Sequence, residues 1–117
     1  MNVTMYHNPR CSKSRQTLQL LRDHGIEPQL VEYLKTPPGV GELKSIISRL
    51  GFTSARDLMR CGEKEYKELG LSDPAMTEDE LIAAMVAHPR LIERPIVITS
   101  DGIVLGRPPE SVLSLFD

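Results

Sequence analysis

The residue pattern predicts a mixed α/β fold in which a strand–helix–strand unit comes first, helices are inserted, and a strand–strand–helix unit closes the chain. Three observations predict it. An alternating stretch, an amphipathic stretch and a second extended stretch follow one another within the first 33 residues, about the length of a parallel βαβ unit. Between about residues 37 and 90 the apolar side chains recur at helical spacing only. Near the C-terminus two β-branched runs flank a short turn.

In Asn2 to Tyr6, Val3 and Met5 share one side before Asn8-Pro9 interrupts, which predicts a short strand entering a loop. Ser12 to His24 places Thr17, Leu18 and Leu21 on one face and stops at Gly25, the signature of an amphipathic helix with glycine past its end. Pro28 to Tyr33 is the second strand. Thr36-Pro37-Pro38 predicts a cap for a helix carrying Val40, Leu43, Ile46, Ile47 and Leu50 up to Gly51. Short helical segments follow over Ser54 to Arg60 and Glu63 to Leu69. Thr77-Glu78-Asp79-Glu80 has the capping-box spacing and opens a helix with Leu81, Ile82, Met85 and Val86, ended by His88-Pro89.

Ile96 to Thr99 and Ile103 to Gly106 form the predicted hairpin, with Gly102 expected to supply a positive φ in the turn. Arg107-Pro108-Pro109-Glu110 then opens a last short helix whose apolar side is Val112, Leu113 and Phe116. The order resembles a thioredoxin-like fold with a four-stranded mixed sheet. At 117 residues the chain is read as one domain, 1 to 117, with a helical insertion over about 37 to 90.

Composition narrows the function. Aromatics are 4% of the residues and Trp is absent, so stacking platforms for nucleic acid are poorly supplied. A formal net charge of -2 argues against wholesale binding to a phosphate backbone. The distribution is informative: Met1 to Arg22 holds Arg10, Lys13, Arg15 and Arg22 and no acid, whereas Asp57 to Glu80 holds eight acids and three bases. The N-terminal segment suits a small anion. No stretch has the length of a membrane span, and the lack of a signal-like N-terminus predicts a cytoplasmic chain. Small size and the lack of a long apolar heptad predict a monomer.

Cys11 falls where a strand exits into a helix, the place where unpaired N–H groups favour an anion, here its own thiolate. A cysteine of ordinary pKa, about 8.5, is only about 3% ionised at neutral pH. Making thiolate the majority form takes about 2.7 kcal/mol, and a helix terminus gives ~0.3 to 1 kcal/mol, or up to ~2 when partly buried. Cations must add the rest. His7, Arg10, Lys13 and Arg15 stand nearby in sequence, and the Ser12 and Ser14 hydroxyls can reach sulfur. The competing reading is an inert buried thiol, common for this residue type.

Thr17 follows Cys11 by six positions and Lys67 follows Cys61 by six, so neither cysteine belongs to a Cys-x5-Arg phosphate loop. Cys11-x-x-Ser14 lacks the second thiol of a dithiol motif. Disulfide chemistry at Cys11 therefore requires an outside thiol, for which glutathione is the cytoplasmic choice. Two cysteines fifty residues apart do not predict a disulfide framework. No histidine and cysteine spacing forms a credible zinc set, and no metal or bound cofactor is expected.

Tyr6-His7-Asn8-Pro9-Arg10-Cys11-Ser12-Lys13-Ser14-Arg15, Leu58-Met59-Arg60, Glu93-Arg94-Pro95-Ile96-Val97 and Gly106-Arg107-Pro108 together resemble the glutaredoxin-dependent arsenate reductases. The similarity runs nearly end to end through Tyr33-Leu34-Lys35-Thr36-Pro37-Pro38 and Tyr66-Lys67-Glu68-Leu69-Gly70-Leu71. It implies that Cys11 is the nucleophile and that Arg60, Arg94 and Arg107 bind the oxyanion; by their nearness to Cys11, His7, Ser14 and Arg15 are read as tuning the thiolate, with a hydrogen-bonded structural role as the competing reading of His7. It also implies glutathione as co-substrate, glutaredoxin as partner, and Pro95 at the position of the cis proline beside the reactive sulfur. Guanidinium groups suit such a task, since their planar forks match oxyanions by paired hydrogen bonds. Cys61 matches no functional position and is read as a bystander. Two further readings stay open: a glutathione-dependent thiol-disulfide reductase whose arginines bind carboxylates, and a thiol-sensing regulator docking on RNA polymerase.

Overall fold

The computed structural model describes residues 2–116. These fold into two compact units: the two ends of the chain, up to Thr36 and from Arg94 onward, form one, and Pro37–Glu93 forms the other.

The first unit is built on a four-stranded sheet. Strands β1 (Val3–Tyr6), β2 (Gln29–Val31), β3 (Ile96–Thr99) and β4 (Ile103–Leu105) lie in the order β2-β1-β3-β4. β1 runs parallel to β2 and antiparallel to β3, and β3 and β4 are antiparallel. This mixed sheet, with helix α1 (Ser12–Asp23) joining β1 to β2, is thioredoxin-like. In the register, Tyr6 faces Ile96 and Ile96 faces Leu105. The end of β1, the start of β3 and the end of β4 therefore meet at one end of the sheet.

α1 buries Ser14, Thr17, Leu18 and Leu21, the face its spacing predicts. Leu18 and Leu21 pack with Val3, Met5, Val97 and Val112 in one core. Burying a side chain such as Leu21 stabilises by about 1.5–3 kcal/mol. The helix stops because Gly25 adopts φ +76, letting the Gly25 N–H donate to the Arg22 carbonyl and Ile26 N–H to that of Leu21, the paired C-terminal closure that only glycine enters at no steric cost.

Two features of the closing segment depart from the sequence reading. Gly102 is not among the positive-φ glycines; it closes the turn, its N–H donating to Thr99 Oγ1 at 3.0 Å and its carbonyl accepting from the Thr99 amide at 2.8 Å, and a Cβ there would lie 2.8 Å from the tip of the Leu115 side chain. The last helix, Pro109–Phe116, is a 3-10 helix. Its tighter turn, about three residues, brings Leu115 onto the core with Val112 and Phe116, in place of Leu113.

The Pro37–Glu93 unit is helical: α2 (Val40–Arg49), a 3-10 turn at Ala55–Leu58, α3 (Lys64–Glu68), α4 (Glu78–Ala87) and a 3-10 turn at Pro89–Leu91. Leu43, Ile46 and Ile47 are buried from α2, and Leu81, Ile82 and Met85 from α4. The N-cap of α2 is Gly39, not Thr36; the Thr36 hydroxyl donates instead to the Glu32 carbonyl at 3.2 Å. The Thr77 capping box forms as its spacing predicts. A second box, at Ser54 and Asp57, opens the 3-10 turn. Glu78 reaches back to it, accepting from the Ala55 N–H at 2.6 Å and the Ser54 hydroxyl at 3.0 Å. No described helix is long and apolar enough to cross a membrane.

Candidate active site

Cys11 is the N-cap of α1, with extended backbone, and is partly exposed. The loop leading to it is fixed by short-range bonds. The Cys11 N–H donates to the Asn8 carbonyl at 3.0 Å, the Arg10 N–H to Asn8 Oδ1 at 3.0 Å, and the Asn8 N–H to Ser14 Oγ at 3.0 Å. The first helical bond runs from Arg15 N–H to the Cys11 carbonyl at 3.0 Å. The amides of Ser12, Lys13 and Ser14 therefore have no carbonyl to serve within the helix and surround the capping position with positive potential.

The sulfur closes no capping hydrogen bond of regular geometry, yet its ionisation is displaced downward. Burial pushes the thiol up, and the Ser14 amide, the Arg94 guanidinium and the Lys13 amide together more than offset it, leaving the pKa below the ordinary cysteine value. The one cation in this set, Arg94, comes from just before β3, and the sequence neighbours Ser14 and Lys13 act through their backbone amides.

Arg15 is exposed and donates to the Pro9 carbonyl at 3.0 Å. His7 is 5% exposed, and its Nδ1 lies 2.6 Å from Ser14 Oγ. Burial holds His7 below its usual pKa, Glu32 opposing and Arg22 and Arg15 assisting. The Ser14 hydroxyl, engaged by both His7 and Asn8, faces the loop, so Ser14 addresses the sulfur through its amide.

Arg94 precedes β3 and Arg107 follows β4, so both stand at the sheet end where β1 delivers Cys11. Arg107 is exposed and Arg94 partly buried. The Arg94-Pro95 and Arg107-Pro108 peptide bonds are both cis. Gly106 N–H donates to the Pro95 carbonyl at 2.9 Å. A Cβ on Gly106 would lie 2.7 Å from Pro95 Cγ and 2.8 Å from Thr17 Oγ1, so glycine is what lets β4 end against both.

Arg60 belongs to the Pro37–Glu93 unit. There its guanidinium pairs with Glu63 at 2.7 Å and donates to the Arg90 carbonyl at 3.4 Å. Glu63 also pairs with Arg90 at 3.5 Å. The same unit holds Cys61, exposed, whose thiol donates to the Met59 carbonyl at 3.7 Å. Asn8 and Glu63 are organising residues that sequence reading did not single out; the Asn-Pro pair and the three-residue spacing from Arg60 were their signals. Among the described residues no group of three or more His, Cys, Asp or Glu is arranged to hold a metal ion.

What the arrangement can do is favour the charged form of the Cys11 sulfur beside a guanidinium, with a second arginine at the same sheet end. Comparison with known proteins agrees with the fold and the motifs. The chain is 52% identical over 113 residues to the uncharacterised Escherichia coli K12 protein YfgD, covering 97% of this chain and 95% of that one. It is 48% identical over 110 residues to an arsenate reductase of Neisseria meningitidis serogroup A, covering 94% of each. Among solved structures, an arsenate reductase from Vibrio cholerae superposes with a TM-score of 0.95 at 54% identity, covering 97% of both chains. The ArsC family matches residues 6–115, and the chain belongs to that family.

Proposed function

We propose that the protein is an arsenate reductase, using Cys11 as nucleophile, glutathione as co-substrate and glutaredoxin as partner, in the cytoplasm and without a bound cofactor. The observation that carries this reading is the Arg94 guanidinium against a Cys11 sulfur whose pKa is lowered. The names of the relatives supply the substrate.

In the proposed sequence the Cys11 thiolate sulfur bonds to arsenic(V) and one arsenate oxygen leaves as hydroxide, which takes a proton from solvent to become water. Arg94 and Arg107 hold the remaining oxygens and stabilise charge as it shifts from oxygen to sulfur. Glutathione then supplies the second sulfur. The As–S bond breaks, its electron pair stays on arsenic, a Cys11–glutathione disulfide forms, and arsenic(III) leaves as arsenite. A glutaredoxin thiolate takes the glutathionyl group and returns Cys11 as thiol. Each turnover moves two electrons from two thiols to one arsenic.

The test is arsenate-dependent NADPH oxidation in an assay coupled through glutathione, glutaredoxin and glutathione reductase. Cys11→Ser should abolish it, and Cys61→Ser should retain it. Equal loss in both variants would overturn the one-cysteine scheme. Glutathione-dependent disulfide reduction with no response to arsenate would reassign the chain as a thiol-disulfide reductase.

A further inference from the structure

Beside the candidate active site is a cleft of about 280 Å³ lined by His7, Asn8, Pro9, Arg10, Glu32, Leu34 and Lys35. We propose that this cleft, walled by the loop before Cys11 and the turn after β2, binds the outside thiol, and that it selects a zwitterionic peptide or amino-acid thiol carrying carboxylates and an ammonium. The inference rests on the reading that Cys11 works with an external thiol; it adds where that thiol sits and what recognises it.

Three observations carry it. The first is position: the cleft reaches Arg10, the residue before Cys11. The second is charge. Arg10 and Lys35 are exposed cations and Glu32 is a partly buried anion. Lys35 and Glu32 pair at 3.6 Å, an exposed contact weak enough for a ligand to exchange. Arg10 has no carboxylate partner among the described residues. Two cations and one anion suit a ligand with two carboxylates and one ammonium, and Glu32 disfavours a polyphosphate. The size, just below the ~300–1,000 Å³ of typical ligand pockets, suits a small molecule and not a dinucleotide.

The third is that the walls are already built. His7 N–H donates to the Val31 carbonyl at 2.9 Å, tying the two loops together. The Glu32 carbonyl accepts from the Lys35 amide at 2.9 Å and from the Thr36 amide at 3.0 Å. A site whose backbone is fixed before binding spends little affinity on ordering. Pro9 and the exposed Leu34 give the ligand's apolar atoms a surface.

The experiment uses S-methylglutathione, which carries glutathione's charges but cannot exchange sulfur, titrated into the full chain with amide shifts followed by NMR. Shifts at residues 7–10 and 32–35 are expected. Arg10→Ala, Lys35→Ala and Glu32→Gln should each raise the Kd about fivefold. In turnover, the ratio of kcat/KM with glutathione to that with the neutral thiol 2-mercaptoethanol should fall by a similar factor in each variant. Shifts confined to Arg94 and Arg107, or an unchanged ratio in all three variants, would overturn the proposal. If the ligand binds here but arsenate elicits no thiol oxidation, the cleft stands and the arsenate reading falls.

Discussion

The Nδ1 of His7 lies 2.6 Å from the Oγ of Ser14, joining the end of β1 to the first turn of α1 beneath the loop that presents Cys11. Both side chains are buried, so cutting this contact strands a polar group. Ser14→Ala is expected to cost about 1–3 kcal/mol, read from urea unfolding midpoints. A charged His7 is also disfavoured, since burial lowers its pKa. Its contribution should be fully present above the ordinary histidine pKa of about 6.5 and be lost as pH falls through the lower folded-state value. His7→Gln should flatten that part of the stability profile. A profile equally steep without His7 would refute the assignment.

Cys11 and Arg94 make the second prediction. In a Cys61→Ser background, where one thiol remains, the iodoacetamide rate should rise with pH around a midpoint below that of free cysteine. Arg94→Ala removes a group that favours the thiolate, so its midpoint should move to higher pH; Arg94→Lys should fall between. Arg15→Ala should leave the midpoint in place, because Arg15 is engaged with the Pro9 carbonyl. A larger displacement from Arg15→Ala than from Arg94→Ala would reverse the assignment.

Gly106→Ala and Gly102→Ala should separate cleanly. At Gly106 the new methyl meets a proline ring and the side chain of Thr17, whose hydroxyl donates to the Lys13 carbonyl at 2.9 Å. Pro95 is a closed ring and Thr17 is buried and hydrogen-bonded, so about 1–3 kcal/mol of destabilisation is expected. At Gly102 the methyl meets only the far end of the Leu115 side chain, which can rotate. Thermal unfolding compares the two; a Tm loss for Gly102→Ala as large as for Gly106→Ala would contradict this account.

Much of this was readable from the residues because short-range physics determines it. Gly25 ends α1, and Thr77 with Glu80 opens α4, through bonds that span a few residues. The parts that escaped depend on contacts distant in sequence. Gly102 sits in the turn without the expected positive φ, and its nearest outside neighbour is Leu115 of the closing helix. Thr36 looked like a cap until the Glu32 carbonyl took its hydroxyl. The cation serving Cys11 was sought among His7, Arg10, Lys13 and Arg15, whereas the sheet brings it from Arg94. The 3-10 geometry of Pro109–Phe116 likewise exchanged Leu113 for Leu115 on the core.

The antiparallel pairing of β1 with β3 has a temporal consequence. On the ribosome Cys11 emerges early, while Arg94 and Arg107 are translated near the end. In a nascent polypeptide the Ser14 and Lys13 amides can therefore act on Cys11 before Arg94 does, because the guanidinium's share waits for the C-terminal hairpin to be synthesised and docked.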